Sequence, residues 1–360
     1  MEPLKEMFNL AFYKHLATEF AKADNSFKEG QFLADVTKNM DTLSLNQRMR
    51  NTSVVLKKFL PLDFKKSIRI MEKVIPNTQR GYTNLLFPDF VGLYGHDHVD
   101  HSLEALKLFT QFGSSEFAIR EFLKRDFDRI IKVMYEWAQD KNHHVRRLSS
   151  EGSRPRLPWS FKLDEVIKNP KVTQPILEAL KQDAELYVRK SVANHLNDIS
   201  KENADYMLKL VNSWDKKHPH TQWIIKHASR TLIKKGNSDS LSVFDFEKNA
   251  KIKIDNFNLR PAKLKLGGSL FFEFDLISEK NKVQKLVIDY SIHYRKKSGD
   301  LSPKVFKLKE IELKPKETLH ISKKQVFKDF TTRKHFAGEH AVEIQVNGKV
   351  LAKRIFQLVL

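Results

Sequence analysis

The densest set of chemically capable side chains lies between residues 146 and 159, where Arg146, Arg147, Arg154 and Arg156 surround one carboxylate, Glu151, and one indole, Trp159. A carboxylate among guanidinium groups stays ionised and can face developing positive charge, and an indole offers a π surface that also favours cations. Pro155 and Pro158 fix their own φ and restrict the residues before them. The segment Arg154-Pro155-Arg156-Leu157-Pro158-Trp159 is therefore a stiff loop that can hold polar groups in place at little entropic cost. A purely structural arrangement also fits these residues, with Glu151 paired to a neighbouring arginine and Trp159 plugging a gap between helices.

A second candidate is His96-Asp97-His98-Val99-Asp100-His101, which matches the HxHxDH pattern of the metallo-β-lactamase superfamily, where imidazoles and a carboxylate bind zinc and activate water. That superfamily needs a strand before the motif and further ligands downstream in an alternating α/β chain. Here the flanks LFPDFVGLYG and SLEALKLFTQF run into a helix. The string is expected to be a loop and a helix start capped by Asp100 or Ser102, so neither a metal nor another cofactor is assigned to His96, His98, Asp100 and His101.

A third group is basic with interleaved aromatics: Arg189 and Lys190, then Trp223, Lys226, His227, Arg230 and Lys234. If the last five share one helix, their spacing puts them in a single stripe suited to phosphates beside an aromatic platform.

Elements that could position these groups follow from periodicity. The chain has 360 residues, long enough for two cores. Up to about residue 235, apolar residues recur at three and four, as in Ile130, Val133, Met134 and Trp137, which predicts helices. After about residue 250 they alternate in seven strand-like runs, 250–258, 270–278, 285–296, 304–313, 318–329, 340–346 and 349–359, with Asn347-Gly348 as a tight turn. Seven short strands in this length suggest an immunoglobulin-like sandwich. The expected division is a helical domain over 1–240 and a β domain over 241–360, with the boundary at Gly236-Asn237-Ser238-Asp239-Ser240.

Within the helical part, Val145-Arg146-Arg147-Leu148-Ser149-Ser150 aligns with Val188-Arg189-Lys190-Ser191-Val192-Ala193, 43 residues on, and loosely with Ile225-Lys226-His227-Ala228-Ser229-Arg230. Asp140 and Asp183 each stand five residues before the valine. That period falls in the range of HEAT and armadillo repeats, whose stacked helix pairs form a curved superhelix.

Composition narrows the partners. Lys and Arg number 64 against 44 Asp and Glu, a net charge of +20, of which +9 lies in residues 1–240 and +11 in the shorter 241–360. A polyanion is the partner such an excess favours. The absence of cysteine excludes disulfides, thiol nucleophiles, thiolate zinc sites and iron–sulfur clusters. The N-terminal stretch lacks an apolar signal core, and no run approaches a membrane span, so a soluble, cytoplasmic chain is expected.

The strings SSEFAIREFL, SSEGSRPRLPW, YVRKSVANHLNDISK and WIIKHASRTLIKKG, which together span residues 114–236, closely resemble the AlkC branch of the DNA alkylation repair glycosylases, HEAT-like relatives of AlkD. The basic β part is similar to the Ig-like domain found in part of that branch. The resemblance implies hydrolysis, in duplex DNA, of the N-glycosidic bond of cationic alkylated bases, 3-methyladenine and 3-methylcytosine, by a cofactor-free monomer that bends the duplex without fully flipping the base.

It further implies Glu151 as the catalytic carboxylate, with Glu116 and Asp198 as supporting acids lining the same concave groove. Trp159 is implied to lie against lesion or sugar, and Arg154 to hold the adjacent phosphate. Arg147, Arg189, Lys190, Trp223, Arg230 and Lys234 complete the implied DNA contacts. A non-catalytic helical-repeat scaffold that binds nucleic acid or protein, and a zinc hydrolase built on the histidine string, are the alternatives.

Overall fold

The structure, a computed structural model, describes residues 3–234, 246–247, 249–329 and 334–360. Its helices are α1 (Leu10–Ala23), α2 (Glu29–Thr37), α3 (Leu45–Phe59), α4 (Phe64–Val74), α5 (Leu86–Tyr94), α6 (Val99–Phe109), α7 (Glu116–Arg125), α8 (Phe127–Trp137), α9 (His143–Gly152), α10 (Asp164–Lys168), α11 (Gln174–Leu180), α12 (Leu186–Ile199), α13 (Ala204–Asn212), α14 (Pro219–Ala228) and α15 (Arg230–Lys234). The strands are β1 (Ile252–Arg260), β2 (Lys263–Lys265), β3 (Ser269–Ser278), β4 (Gln284–Arg295), β5 (Leu301–Leu313), β6 (Thr318–Val326), β7 (Gly338–Val346) and β8 (Lys349–Val359).

Helix spacing in the sequence becomes burial in the structure. In α4, Phe64, Ile68, Met71 and Val74 are buried, and in α8 Ile130, Ile131, Met134 and Trp137. Asp63 and Asp126 start these two helices, their carboxylates accepting from the backbone N–H groups of Lys66 and Arg129. Helix α12 packs against α9 on one side and α14 on the other and is buried almost without interruption from Ser191 to Ile199.

The two aligned segments form α9 and α12, and their equivalent arginines make the same bonds. Arg146 Nη1 donates to the carbonyls of Asp140 (2.9 Å) and Lys141 (3.0 Å), and Arg189 Nη1 donates to those of Asp183 (2.9 Å) and Ala184 (2.7 Å). Each arginine closes the turn that leads into its own helix. Arg146 Nε also lies 2.6 Å from Asp183 Oδ2, so the turn before α12 is tied to α9.

The β part is a sandwich of a three-stranded sheet, in the order β1-β3-β6, and a five-stranded sheet, β2-β8-β7-β4-β5. In β3, Leu270, Phe272, Phe274 and Leu276 point inward in strict alternation and meet Ile288, Tyr290 and Ile292 of β4 and Val342 and Ile344 of β7. All seven expected runs are strands. The additional one, β2, pairs parallel with β8 over three residues, too short for alternation to reveal. At the β7–β8 turn Asn347 and Gly348 both have positive φ, 49° and 77°, as a two-residue type I′ hairpin requires.

The expected boundary at 236–240 lies outside the described residues. The chain up to Met207 together with Trp214–Ala228 forms one compact unit, and Leu208–Ser213 together with Ser229–Leu360 forms the other. The expected single helix carrying Trp223, Lys226, His227, Arg230 and Lys234 is instead two. Helix α14 ends at Ala228, and the carbonyl of the buried Ser229 accepts from Ile233 N (2.9 Å), starting α15 afresh. Ile233 then packs on Phe246 and Val287.

Candidate active site

Helix α9 delivers Glu151 in its last turn, where the side chain is only 7% exposed. Three groups hold its carboxylate. Ser191 of α12 donates to Oε2 at 2.6 Å, Arg154 Nη1 donates to Oε1 at 2.6 Å, and Arg147, one helical turn back, brings Nη2 to 3.5 Å of Oε1. Burial pushes this carboxyl up, but Arg147, Arg154 and the Ser191 hydroxyl outweigh it and hold the group below the ordinary glutamate value. Glu151 is therefore a buried, ionised carboxylate at neutral pH.

Glu116 opens α7 and accepts from Ser114 Oγ at 2.8 Å and from Arg147 Nη1. Arg147 thus bridges Glu116 and Glu151, while its guanidinium stacks over the ring of Tyr187 at 4.8 Å. Arg147, expected among the DNA contacts, lies here on the cavity wall, drawn inward by two carboxylates and a π face.

Arg154 and Asp198 form a second ion pair behind the first. Arg154 sits behind Glu151 with its side chain 8% exposed, its Nε 2.8 Å and Nη2 2.6 Å from Asp198 Oδ2. With Nη1 on Glu151 and Nε and Nη2 on Asp198, each nitrogen of the guanidinium meets a carboxylate, so here Arg154 faces into the protein. Asp198, expected as a supporting acid, is 3% exposed in its side chain, lies beyond Arg154 and also accepts from Lys201 Nζ (2.8 Å), so it orients Arg154.

The front of the site is a cavity of about 540 Å³ whose wall includes Glu116, Glu151, Arg147, Tyr187, Tyr82 and Trp159. Trp159 is 72% exposed, has φ of 65° and meets Tyr82 edge-on at 6.5 Å between ring centroids. A bulky L-residue with positive φ is strained, and a large exposed indole gains nothing from packing. These facts remove the reading of Trp159 as a plug between helices and leave it as a side chain held out at the cavity rim.

What holds the loop in that shape is Arg120 of α7, which sequence reasoning missed. Fully buried, it donates from Nη1 to the carbonyls of Gly152 (2.9 Å) and Arg154 (2.6 Å), from Nε to Ser160 Oγ (3.0 Å) and from Nη2 to the carbonyl of Phe161. One side chain therefore grips the loop on both sides of Trp159. Burial, then Arg154, lowers its pKa to about 10, which still leaves it charged at neutral pH. Its only sequence signal was its place inside SSEFAIREFL. His195 is the other buried group missed: its Nδ1 lies 3.0 Å from the carbonyl of Ser150, and burial first, then Arg154, depresses it to about 3, so it stays neutral.

The remaining expected contacts lie elsewhere. Lys190 and Arg230 are exposed, whereas Arg189 stacks its guanidinium 5.9 Å above Trp223, which itself stacks on His227 at 3.7 Å. Lys234 donates to the carbonyl of Val305 at 3.2 Å.

In the histidine string, His96–His98 is a single 3-10 turn. His98 stacks on Phe64 at 5.3 Å, His96 lies against Phe122 at 4.9 Å, Asp100 pairs with Arg129, and His101 lies 3.7 Å from Glu104. The four side chains face four different neighbours, and no three His, Asp or Glu residues are gathered to hold a metal among the described residues. Neither expected cap operates: α6 begins at Val99, Asp100 is already inside it, and the buried Ser102 donates to the carbonyl of Gly95 (2.8 Å). Among the described residues no helix is long and apolar enough to cross a membrane.

A stack of helical pairs that buries arginine-held carboxylates, joined to an Ig-like sandwich, is an architecture with known relatives. Residues 109–232 match the DNA alkylation repair enzyme family, and residues 253–360 match the family described as uncharacterised protein YhaZ, C-terminal Ig-like domain. The chain is 40% identical over 359 residues to the uncharacterized protein YhaZ of Bacillus subtilis (strain 168), an alignment covering 99% of this chain and 100% of that one. It is 44% identical to the Pseudomonas fluorescens alkylpurine DNA glycosylase AlkC, solved bound to DNA containing an abasic site analog, with both chains fully covered and a TM-score of 0.96. The chain belongs to the DNA alkylation repair enzyme family, in the group that carries the YhaZ-type C-terminal Ig-like domain.

Proposed function

We propose that this protein is a DNA glycosylase that hydrolyses the N-glycosidic bond of cationic alkylated bases, 3-methyladenine and 3-methylcytosine, in duplex DNA without a metal and without fully flipping the base. The observation that carries this is the buried, ionised Glu151 at the wall of a cavity rimmed by Trp159. A base already positively charged leaves with the bonding pair as a neutral molecule, so little general-acid help is needed. The sugar left behind is an oxocarbenium-like cation, and a fixed carboxylate stabilises that charge more in the transition state than in the ground state.

Glu151 does this while Arg154, Ser191 and Arg147 keep it ionised and in place. Glu116, held by Ser114 and Arg147 in the same cavity, shares the field and can orient the attacking water, which adds hydroxide to the anomeric carbon and gives its proton to a carboxylate or to solvent. Trp159 supplies a π face for the cationic lesion. Lys190, Trp223 and Arg230 are the proposed contacts to flanking DNA from the helical part.

On the β sandwich, Arg260 of β1, Phe271 of β3 and Lys324 of β6 stand in one cross-strand row, with Phe271 46% exposed and Lys324 Nζ 5.5 Å from its ring. That row is the proposed phosphate contact of the second unit.

The test is release of 3-methyladenine from methylated duplex DNA in excess EDTA. Wild-type protein is expected to release the base, and Glu151→Gln to lose at least about a hundredfold in rate, the scale for removal of a transition-state electrostatic partner, while binding the duplex within a few-fold of wild type. No release by wild type, or full release by Glu151→Gln, defeats the proposal.

A further inference from the structure

An α-helix leaves its last four carbonyls without partners of its own, and its end frays unless they are met. Glu151 stands in that last turn of α9, so its place in the cavity wall depends on how the turn is closed. Each of the four carbonyls has a donor. Ser153 Oγ donates to that of Ser149 (2.6 Å), Arg154 N to that of Glu151 (3.4 Å) and Arg120 Nη1 to that of Gly152 (2.9 Å). The carbonyl of Ser150, directly before Glu151, is met by Nδ1 of the fully buried His195 at 3.0 Å. The Ser153 hydroxyl lies 3.4 Å from it and spends its proton on Ser149. A carbonyl only accepts, so the proton is fixed on Nδ1, and the other ring nitrogen, Nε2, is buried with no hydrogen-bond partner. Among the described residues the bond to Ser150 is the one hydrogen bond this imidazole makes.

Resting on the glycosylase reading above, we propose that His195 is a positioning residue for base release: its Nδ1–H holds the carbonyl of Ser150, keeps the last turn of α9 wound and so fixes the backbone from which Glu151 reaches the cavity. Ser191, His195 and Asp198 lie at spacings of four and three on one face of α12, and each takes a different group at the end of α9. Ser191 holds the Glu151 carboxylate at 2.6 Å and Asp198 the Arg154 guanidinium at 2.8 Å. His195 is the one of the three that holds main chain. The side-chain bonds set where the carboxylate turns, and the main-chain bond sets where it starts from. A neutral donor suits this place. Burial, then Arg154 and Arg120, keep the imidazole uncharged. A further cation behind Glu151 would weaken the field that it presents to positive charge on the sugar.

The experiment compares full-chain wild type, His195→Leu and His195→Asn. It measures single-turnover release of 3-methyladenine from methylated duplex DNA, affinity for that duplex, and hydrogen exchange of residues 148–156 without DNA. His195→Leu removes the donor and keeps the bulk. Its release rate is expected to fall about tenfold, the scale of one hydrogen bond, with duplex affinity within about twofold of wild type and faster exchange at the end of α9. His195→Asn, whose amide nitrogen can occupy the Nδ1 position, should restore rate and exchange to within about threefold. On a Glu151→Gln background, His195→Leu should lower the residual rate no further, because it acts through that carboxylate. Unchanged release by His195→Leu, no recovery by His195→Asn, or a further loss of the same size on the Glu151→Gln background overturns the proposal. If His195→Leu does not fold, His195→Gln, whose amide lies one bond too far out, replaces it with the same expectations. Exchange separates this inference from the glycosylase reading. Should wild type release no base, that reading fails, while faster exchange in His195→Leu that His195→Asn restores sustains the hold of His195 on the Glu151 turn, and unmoved exchange overturns it.

Discussion

The hydroxyl of Ser191 lies 2.6 Å from Oε2 of Glu151, a bond that joins α12 to α9 across forty residues of chain. It gives the carboxylate a neutral donor on the side opposite the two arginines, and so fixes its rotation as well as its charge.

Ser191→Ala removes that donor. Base release is expected to fall by about tenfold, one hydrogen bond to a charged group. The sign of the pH effect follows from the depressed carboxyl. In wild type Glu151 stays ionised as pH falls through the ordinary glutamate value, and activity is lost only below it; the stability this pairing contributes is likewise present at higher pH and lost as pH falls through the depressed value. Without Ser191 the acidic limb of the single-turnover pH profile moves upward. A lower rate with an unmoved limb would show that Ser191 acts only through packing.

Arg120→Met leaves the carbonyls of Gly152, Arg154 and Phe161 without their donor inside the protein. A loss of about 3–5 kcal/mol is expected by denaturant titration, the range for breaking a buried charged network. Arg120→Lys, which keeps the charge but loses the fork, is expected to recover less than half of it.

Trp159→Gly separates strain from function. A non-glycine residue in the left-handed region costs about 1–2 kcal/mol, and Trp159 returns little packing at 72% exposure. Thermal unfolding is expected to show the variant as stable as wild type or up to about 1 kcal/mol more stable, with base release strongly reduced. A variant that is clearly less stable would mean that the indole belongs to the packing after all.

For the β sandwich, Lys324→Ala and Arg260→Ala should each lower the slope of log affinity against log salt by about one, as loss of a single phosphate contact does. Unchanged slopes would take that sheet face out of the DNA interface.

Much of this was legible in residue order because periodicity and local bonds are local. Alternation gave every strand long enough to alternate, and the repeated Val-Arg motif became two helices with identical arginine-to-carbonyl bonds. Glu151 stood out because its arginine partners are three and four residues away. Arg120 did not, because its acceptors are mostly main-chain carbonyls more than thirty residues distant, which have no side-chain signature. The inward turn of Arg154 was hidden for a related reason: a basic residue on a loop reads as solvent-facing until Asp198, forty-four residues on, is brought beneath it. The break at Ser229 was invisible to spacing, which runs unbroken through it.

The bond between Arg146 and Asp183 bears on how the helical unit comes apart. In a stack held only by apolar faces, an end repeat can fray while its neighbour keeps its own fold. Here, peeling α12 away strips Arg146 of its carboxylate and Glu151 of its serine in the same motion, leaving charged groups half-solvated on α9. The intermediate is penalised on both faces of the gap, which favours melting of this part of the array as one block, and a gene encoding one repeat fewer would leave the Arg146 charge unmatched at the splice.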